Sequence, residues 1–342
     1  LDKLKKMGFS VNWAYGFTCA YFGMYIPPVR DDQSWHTAEK QIVNIKQLND
    51  QCSRLHDAGF HTLAYFNVTE WADLLSSGER PPAIPESEGW EKAKGLVVHV
   101  ADAELYDSTG EKLFSNNASG NLYVVDPAEP SAMEWFLDQA KAYMERIPKI
   151  SGIVIDRTDW TERYNLRRDD GVTWLNGPAQ SLRVSWQQYM DKVGPMMHNA
   201  SKAIFLNPHN KRLDLYRQAD GIFDEFGYRP HCNNLCAFLG VRKPVLAWTP
   251  GAAWVTLDPN AFFQRYLYLG IFPMTPFPEN GIDGRKQLNI SFSLFCIRPD
   301  PQVDQLYLDY GPLLNAMRGR RWVLLPHVVE VADHVAKANV FE

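Results

Sequence analysis

The sequence lacks the features that mark several broad classes of protein. No apolar run reaches about 18 residues, the length that a helix needs to cross a membrane. There is no block of basic residues, and the net charge is −5, which argues against nucleic acid as a partner. No segment recurs at a fixed spacing and no low-complexity tract is present, which argues against a repeat protein.

Cysteine is also sparse. The five cysteines are scattered and odd in number. Cys232 and Cys236 have neither a histidine nor a second cysteine pair at the spacing of a zinc site. We therefore interpret each cysteine as a buried or surface thiol and predict no metal site from them.

Aromatic residues are abundant, with 11 Trp, 15 Tyr and 18 Phe. Four tryptophans stand next to polar or small residues near the ends of predicted strands: Trp13, Trp71, Trp160 and Trp248. A flat aromatic face suits the apolar face of a sugar ring, and neighbouring polar groups suit its hydroxyls. The alternative is that large aromatics simply fill a core. Several tryptophans placed just past strands favour a pocket.

Short apolar runs alternate with helical segments along the chain. We predict eight strands, at 11–20, 61–67, 121–126, 151–156, 203–206, 221–226, 244–248 and 271–275. Strands that alternate with helices indicate a parallel sheet, and eight such units predict a closed (β/α)₈ TIM barrel. An open doubly wound sheet is the alternative, but its usual glycine-rich phosphate loop does not follow the first strand.

The predicted barrel covers residues 1–319 and contains an irregular, proline-rich insertion at 72–120. Residues 320–342 form a C-terminal β segment or the start of a missing β domain. The first residues, Leu1–Lys6, resemble the end of a helix and are not followed by the apolar region of a signal peptide. We therefore expect the chain to be excised from a longer protein.

The strand that ends at Asp156 carries the strongest chemical signal. Ile153, Val154 and Ile155 form a run without polar alternation, which is typical of a strand buried on both faces. Asp156, Arg157 and Asp159 follow at once. A carboxylate at the C-terminal end of such a strand lies where α/β folds place their chemistry. The alternative is that these three charged residues form a salt-bridge cluster.

A second carboxylate follows the sixth predicted strand. Aligning Gly221 with Gly152 places Glu225 opposite Asp156. Because side chains alternate along a strand, only one of Asp224 and Glu225 can point the same way as Asp156, and Glu225 is preferred. Two carboxylates suit glycoside hydrolysis, with one as nucleophile and the other as acid and base. Arg157 could keep Asp156 ionised.

Further polar and aromatic residues follow predicted strands and are candidates for substrate binding. Each of the polar ones has an ordinary alternative, since Asn207-Pro208 can start a turn and Asp126-Pro127 can lead into a helix. The predicted substrate-binding residues are Trp13, Asn67, Trp71, Asp126, Arg157, Asp159, Trp160, Asn207, His209 and Trp248.

A series of strand ends in this chain resembles a known superfamily. The series consists of Tyr123–Pro127, followed by a helix, then Gly152–Asp156, Asn207-Pro208 and Asp220-Gly221 with Glu225. It is similar to the barrel domains of retaining glycoside hydrolases, around α-galactosidases, α-glucosidases and dextranases. The likeness spans about 11–317. It implies Asp156 as nucleophile and Glu225 as acid/base, although α-galactosidases and α-glucosidases usually have Asp in the second role. It also implies flanking β-sandwich domains and secretion.

The sequence thus predicts a retaining glycoside hydrolase that acts on oligo- or polysaccharides. No metal ion or other cofactor is needed, because two carboxylates suffice. One alternative is a non-catalytic barrel that binds carbohydrate. The other is a metal-dependent hydrolase that uses Asp156, Asp159, His209 and Glu225, although the usual His-x-His pair is missing near the first strand.

Overall fold

A computed structural model describes most of the chain. The described residues are 1–14, 23–37, 42–72, 100–117, 120–158, 160, 162–207, 212–225, 230–248, 252–274, 301–332 and 336–342. They form two compact units, which are described separately below. The first unit contains residues 11–206 and 217–219, and the second contains 1–10, 207–216 and 220–342.

The first unit is built on a sheet of four parallel strands. Their order across the sheet is also their order in the chain: Val11–Ala14, His61–Asn67, Gly152–Asp156 and Ala203–Leu206. All five residues of Gly152–Asp156 are buried, as expected for an apolar run in the middle of a parallel sheet. The register of the two central strands places Asn67 beside Asp156.

Three long helices accompany this sheet, and each begins at a side-chain cap. They are Ile45–Asp57, Pro130–Arg146 and Leu182–Asn199. Asn44 and Gln47 form a reciprocal capping box at the first helix. Glu129 and Ser181 accept hydrogen bonds from backbone N–H groups in the first turns of the other two. These caps satisfy donors that a helix N-terminus otherwise leaves unpaired.

The third predicted barrel strand, 121–126, is wrong as a member of the parallel sheet. Gly120–Val124 is the middle strand of an antiparallel sheet, between Glu70–Ala72 and Phe114–Asn117. The described part of the 72–120 insertion therefore contributes to this small sheet. A short apolar run looks the same in either kind of sheet, because only its partners determine the direction of pairing.

The first unit also has two smaller antiparallel sheets. One pairs Trp35–His36 with Ile42–Val43. The other joins Tyr164–Asn165, Thr173–Trp174 and Pro178–Ser181.

The second unit contains three parallel strands, which are again adjacent in chain order: Gly221–Asp224, Val245–Ala247 and Phe272–Pro273. Its helices are Asp2–Lys6, Leu213–Tyr216, Pro230–Leu239, Ala252–Leu257, Pro259–Leu269 and Pro301–Ala316. Seven of the eight predicted barrel strands are therefore found in parallel sheets, and the prediction of an α/β fold is confirmed.

Aromatic packing forms part of the core of the second unit. The Phe263 ring stacks on Tyr310 at 4.1 Å between centroids and meets Tyr307 edge-on at 5.1 Å. After the last helix, the buried Arg320 guanidinium donates to the carbonyls of Gly270 and Gly240. The predicted C-terminal β segment contributes a single bridge among the described residues, between Trp322 and Phe341. None of the described helices is long and apolar enough to cross a membrane.

Candidate active site

Asp156 occupies the last position of a strand whose residues are all buried. The residue as a whole is 9% exposed. Its neighbour across the sheet is Asn67, the last residue of His61–Asn67. Because parallel strands deliver their carboxyl ends to one edge of a sheet, the two polar residues share that edge. This is the placement that the sequence predicted for Asp156.

The Asn67 side chain organises the turn that follows its strand. Its Oδ1 accepts hydrogen bonds from the backbone N–H groups of Thr69 at 2.9 Å and Glu70 at 3.2 Å. Its Nδ2 donates to Glu70 Oε2 at 2.8 Å. The Tyr25 hydroxyl donates to the Asn67 carbonyl, and it accepts from the Asn67 backbone N–H at 2.8 Å. Asn67 is fully buried, so these contacts give it a structural part, while sugar binding by Asn67 stays a prediction.

Glu70 contacts two of the predicted residues, Arg157 and Asn67, and was not itself among the predicted residues. It is 1% exposed, and its Oε1 accepts a hydrogen bond from Arg157 Nη1 at 2.7 Å. Arg157 therefore forms an ion pair with a buried carboxylate in addition to following Asp156 in the chain. The available signal was the Glu70-Trp71 pair just past a buried strand, but nothing in the sequence linked it to Arg157.

Arg157 lies against an aromatic ring as well. Its guanidinium carbon is 4.4 Å from the centroid of the Trp160 ring, and that of Arg163 is 5.7 Å away. Both separations suit cation–π attraction. The Trp160 ring thus helps to hold Arg157, and a role for Trp160 as a platform for sugar stays a prediction.

The other predicted aromatic residues differ in their surroundings. Trp71 is buried and packs edge-on against Trp135 at 5.6 Å and Phe136 at 5.9 Å, which is the environment of a core residue. Trp13 lies 5.8 Å from Tyr65, between ring centroids. These contacts favour the core interpretation for Trp71.

Asp126 is fully buried and its contacts are internal. It accepts hydrogen bonds from the Ala128 backbone N–H at 2.9 Å and from Asn165 Nδ2 at 3.0 Å. Arg168 Nε lies 3.7 Å from its carboxylate. Burial raises the pKa of Asp126, although the hydrogen bonds, including one with Ser185, and the Arg168 charge oppose the shift. These internal contacts explain the burial of the Asp126 carboxylate without a bound ligand. Substrate binding by Asp126 stays a prediction.

The second unit holds the two candidates for the second carboxylate. Asp224 ends the strand Gly221–Asp224 and is 1% exposed. Glu225 follows it and is partly exposed, and its Oε2 accepts a hydrogen bond from Asn207 Nδ2 at 2.9 Å. The more accessible of the two carboxylates is therefore Glu225.

Trp248 is the remaining described candidate in this unit. Its backbone N–H donates to the Asp224 carbonyl at 2.9 Å, and its ring lies 6.3 Å from that of Phe223, between centroids. Asp159 and His209 lie outside the described residues. Within the described part of the chain, no group of three or more His, Cys, Asp or Glu side chains could hold a metal ion.

No protein-family model matches the sequence, and no curated protein matches it either. Solved structures do resemble it. A noncanonic maltogenic α-amylase, AmyB from Thermotoga neapolitana, matches with a TM-score of 0.54 and 12% identity over 92% of this chain and 70% of AmyB. A cycloalternan-degrading enzyme from Trueperella pyogenes, in complex with covalent intermediate, matches with a TM-score of 0.53 and 12% identity over 93% of this chain and 44% of that one.

A third match is a cycloisomaltooligosaccharide glucanotransferase from Paenibacillus sp., complexed with cycloisomaltoheptaose. The TM-score is 0.51 and the identity 13%, over 72% of this chain. The match spans only 34% of the length of that enzyme. At such low identity the likeness shows the fold alone. This chain therefore shares an α/β fold with these three enzymes, as the predicted resemblance to glycoside hydrolases implies.

Proposed function

We propose that this chain is a glycoside hydrolase that cleaves O-glycosidic bonds of oligo- or polysaccharides with two carboxylates. The observation that carries the proposal is the position of Asp156. It ends a fully buried parallel strand, next to Asn67, at the edge of the sheet where α/β enzymes carry their chemistry. The fold likeness to enzymes that act on glucans supports the same conclusion.

In the proposed mechanism Asp156 is the nucleophile. Its carboxylate attacks the anomeric carbon and the bond to the leaving oxygen breaks, which gives a covalent glycosyl-enzyme. Glu225 protonates the leaving oxygen and then removes a proton from the water that releases the sugar. The covalent intermediate named for the Trueperella enzyme supports the choice of a retaining over an inverting mechanism.

Glu225 is preferred to Asp224 because the acid must reach both the glycosidic oxygen and water. Glu225 is partly exposed, whereas Asp224 is 1% exposed within its strand. The hydrogen bond from Asn207 to Glu225 Oε2 would hold that carboxyl group in one orientation. Asn207, which the sequence predicted to bind substrate, would then orient the Glu225 carboxyl group instead of contacting the sugar.

The proposal includes a closed (β/α)₈ barrel, to which the described residues contribute seven parallel strands. Flanking β-sandwich domains and secretion, which the resemblance implies, belong to the proposal as well. Retention requires about 5 to 5.5 Å between the two catalytic carboxyl groups. A crystal structure in which the Asp156 and Glu225 carboxyl groups are far more than about 10 Å apart would rule out this pair.

The proposal is tested with Asp156→Asn, Glu225→Gln and Asp224→Asn on a panel of α- and β-linked aryl glycosides. Asp156→Asn should abolish turnover of every substrate, because the nucleophile is lost. Glu225→Gln should lower kcat/KM by about 10²- to 10⁴-fold for poor leaving groups, but far less for dinitrophenyl glycosides, which leave without protonation. Asp224→Asn is the matched control and should retain activity. The reverse result for the last two variants would move the acid to Asp224.

Trapping identifies the nucleophile directly. A slow fluorinated glycosyl fluoride should add one sugar mass to the peptide that contains Asp156, and Asp156→Asn should not be labelled. Oligosaccharide binding without turnover would favour the non-catalytic barrel. Activity that is lost with a chelator and restored by a metal ion would favour the metal-dependent hydrolase.

A further inference from the structure

Glu70 uses both of its carboxylate oxygens on residues that adjoin Asp156. Oε1 accepts from Arg157 Nη1 at 2.7 Å, and Oε2 accepts from Asn67 Nδ2 at 2.8 Å. Arg157 follows Asp156 in the chain, and Asn67 is aligned with Asp156 across the sheet. The buried Glu70 carboxylate is therefore hydrogen-bonded both to the residue that follows Asp156 in the chain and to the residue beside Asp156 in the sheet.

The backbone conformation of Arg157 indicates that the segment just after Asp156 is fixed by its contacts. Arg157 has a φ of 58°, in the left-handed region that a residue with a long side chain adopts only where other contacts fix it. The Thr69 hydroxyl lies 3.3 Å from the Arg157 carbonyl oxygen and 3.2 Å from Asn67 Oδ1, and it can donate its one proton to either. The Glu70 carboxylate and the Trp160 ring hold the guanidinium. The conformation of the peptide that follows Asp156 thus depends on these contacts.

The backbone of Glu70 is itself held in place by hydrogen bonds and strand pairing. Its backbone N–H donates to Asn67 Oδ1 at 3.2 Å, and its strand pairs with Gly120–Val124, where Glu70 is aligned with Val124. Glu70 is 1% exposed and both of its carboxylate oxygens are bonded to protein groups, so we argue its role through those neighbours.

We propose that Glu70 is a positioning residue, which orients the Asp156 carboxylate through Arg157 and Asn67. The inference rests on the proposed role of Asp156 as nucleophile. A displacement of about 1 Å can cost on the order of 10²-fold in rate, because the reacting atoms must be aligned for attack. The competing interpretation is that the Glu70–Arg157 pair only stabilises the fold, or even contributes little to it.

The test is Glu70→Gln, which keeps the shape of the side chain and removes the charge that Arg157 pairs with. We expect kcat for dinitrophenyl glycosides to fall on the order of 10²-fold, with KM changed less than about two-fold. The matched control is Glu145→Gln, at an exposed glutamate whose Oε1 lies 3.7 Å from Lys141 Nζ on one helix. That variant should leave both constants unchanged. A Glu70→Gln protein with a lower Tm but unchanged kcat per folded molecule would overturn the proposal.

A readout independent of activity separates this inference from the proposed function. Crystal structures of wild type and Glu70→Gln should differ by about 0.5 Å or more at the Asp156 carboxylate, the tolerance of a catalytic geometry. An unmoved Asp156 carboxylate would overturn the positioning role whatever the kinetics. If the Asp156 carboxylate is displaced but the wild type hydrolyses no glycoside, the result would contradict the proposed function and leave the positioning of Asp156 by Glu70 supported.

A second variant covers the case in which Glu70→Gln does not fold. Thr69→Val removes the hydroxyl that contacts the Arg157 carbonyl and Asn67 Oδ1, on the two sides of Asp156, and leaves a side chain of similar shape. It should displace the Asp156 carboxylate in the same sense and lower kcat by about ten-fold, because one of several contacts is lost. Unchanged kcat and unchanged Asp156 coordinates in Thr69→Val would count against the proposal.

Discussion

At the scale of single residues, Gly152 determines how closely the strand of Asp156 can approach its neighbour. A Cβ atom at this position would lie 2.0 Å from the Ala203 carbonyl oxygen and 2.7 Å from its carbonyl carbon. Both atoms belong to the backbone of the adjacent strand, so neither can swing aside as the end of a flexible side chain can. The glycine that helped to align the two carboxylate strands thus has a packing requirement of its own.

We therefore predict that Gly152→Ala destabilises the protein by about 3 kcal/mol, the upper part of the range for overpacking in a core. The measurement is the free energy of unfolding from denaturant titration. Gly177→Ala is the control, because no atom lies within 4 Å of a Cβ there, and it should change the stability by less than about 0.5 kcal/mol. A neutral Gly152→Ala would mean that the two strands separate more easily than their contacts indicate.

The candidate site also shows which residues the sequence could reveal. Asp156 was predictable because a carboxylate ends a local apolar run, and a strand's burial and its end are local properties. Glu70 was not, because its partner Arg157 is 87 positions away in the chain. Whether a charged residue is exposed or buried in an ion pair depends on such distant contacts, so a sequence pattern alone could not identify it.

At the scale of elements, the strand Gly120–Val124 marks the limit of pattern reasoning. Its Leu122 and Val124 are buried, as residues of a barrel strand would be. Its partners, however, are Glu70–Ala72, which begins just before the predicted insertion at 72–120, and Phe114–Asn117, which lies within it. The antiparallel pairing depends on these partners, and neither has a strong apolar pattern that would predict a strand.

One side chain, Asp170, accepts hydrogen bonds from two strands of the sheet formed by 164–165, 173–174 and 178–181. Its Oδ1 accepts from the backbone N–H groups of Val172 at 3.0 Å and Thr173 at 2.7 Å, and its Oδ2 accepts from that of Ser181 at 2.9 Å. Burial alone would raise the pKa of Asp170, but the hydrogen bonds from Ser181, Thr173 and Val172 outweigh it and lower the pKa below 3.8. The stabilisation is therefore present above pH 3.8 and is lost as the pH falls through the lower folded-state pKa.

We predict that Asp170→Asn destabilises this sheet locally, while the backbone amides of the parallel strands stay protected from hydrogen exchange. The Asn Nδ2 group cannot accept the bond from Ser181, so backbone amides of 172–181 should exchange faster with deuterium. Amides of Gly152–Asp156 should be unchanged in the same experiment. Asp169→Asn is the control, since Asp169 Oδ1 accepts a hydrogen bond from the Gly171 backbone N–H at 2.7 Å within the same turn. Equal exchange in wild type and Asp170→Asn would show that the strands hold the sheet without this carboxylate.

At the scale of the whole molecule, the alternation of strands and helices was enough to predict the α/β class. The exact bounds of the predicted segments do not matter for this, because the class follows from their order alone. Whether the strands close into the proposed barrel, and how far apart the proposed catalytic carboxylates lie, depend on how distant strands pair. These are properties of the assembled sheet, and the local pattern carries no information on them.

The pH dependence of stability is a property of the whole molecule, to which individual carboxylates contribute with opposite signs. Burial raises the pKa of Asp126 above 3.8, so its contribution is fully present below that pH and is lost as the pH rises through the folded-state pKa. Asp107 is exposed, and the hydrogen bond from the Thr109 hydroxyl lowers its pKa. Its contribution is present above pH 3.8 and is lost as the pH falls through the lower folded-state pKa.

These signs predict how Asp126→Asn and Asp107→Asn differ from wild type when unfolding free energy is measured between about pH 3 and pH 8. The stability of wild type minus that of Asp126→Asn should fall as the pH rises above 3.8, because only wild type loses a buried proton there. Wild type minus Asp107→Asn should change in the opposite direction, on the acid side of 3.8. Groups common to both proteins cancel in each difference, so the slope reports the one carboxylate. A difference for Asp126→Asn that rises with pH would show that the hydrogen bonds from Ser185, Ala128 and Asn165 outweigh burial, and Asp126 would then be an ionised anchor of the fold.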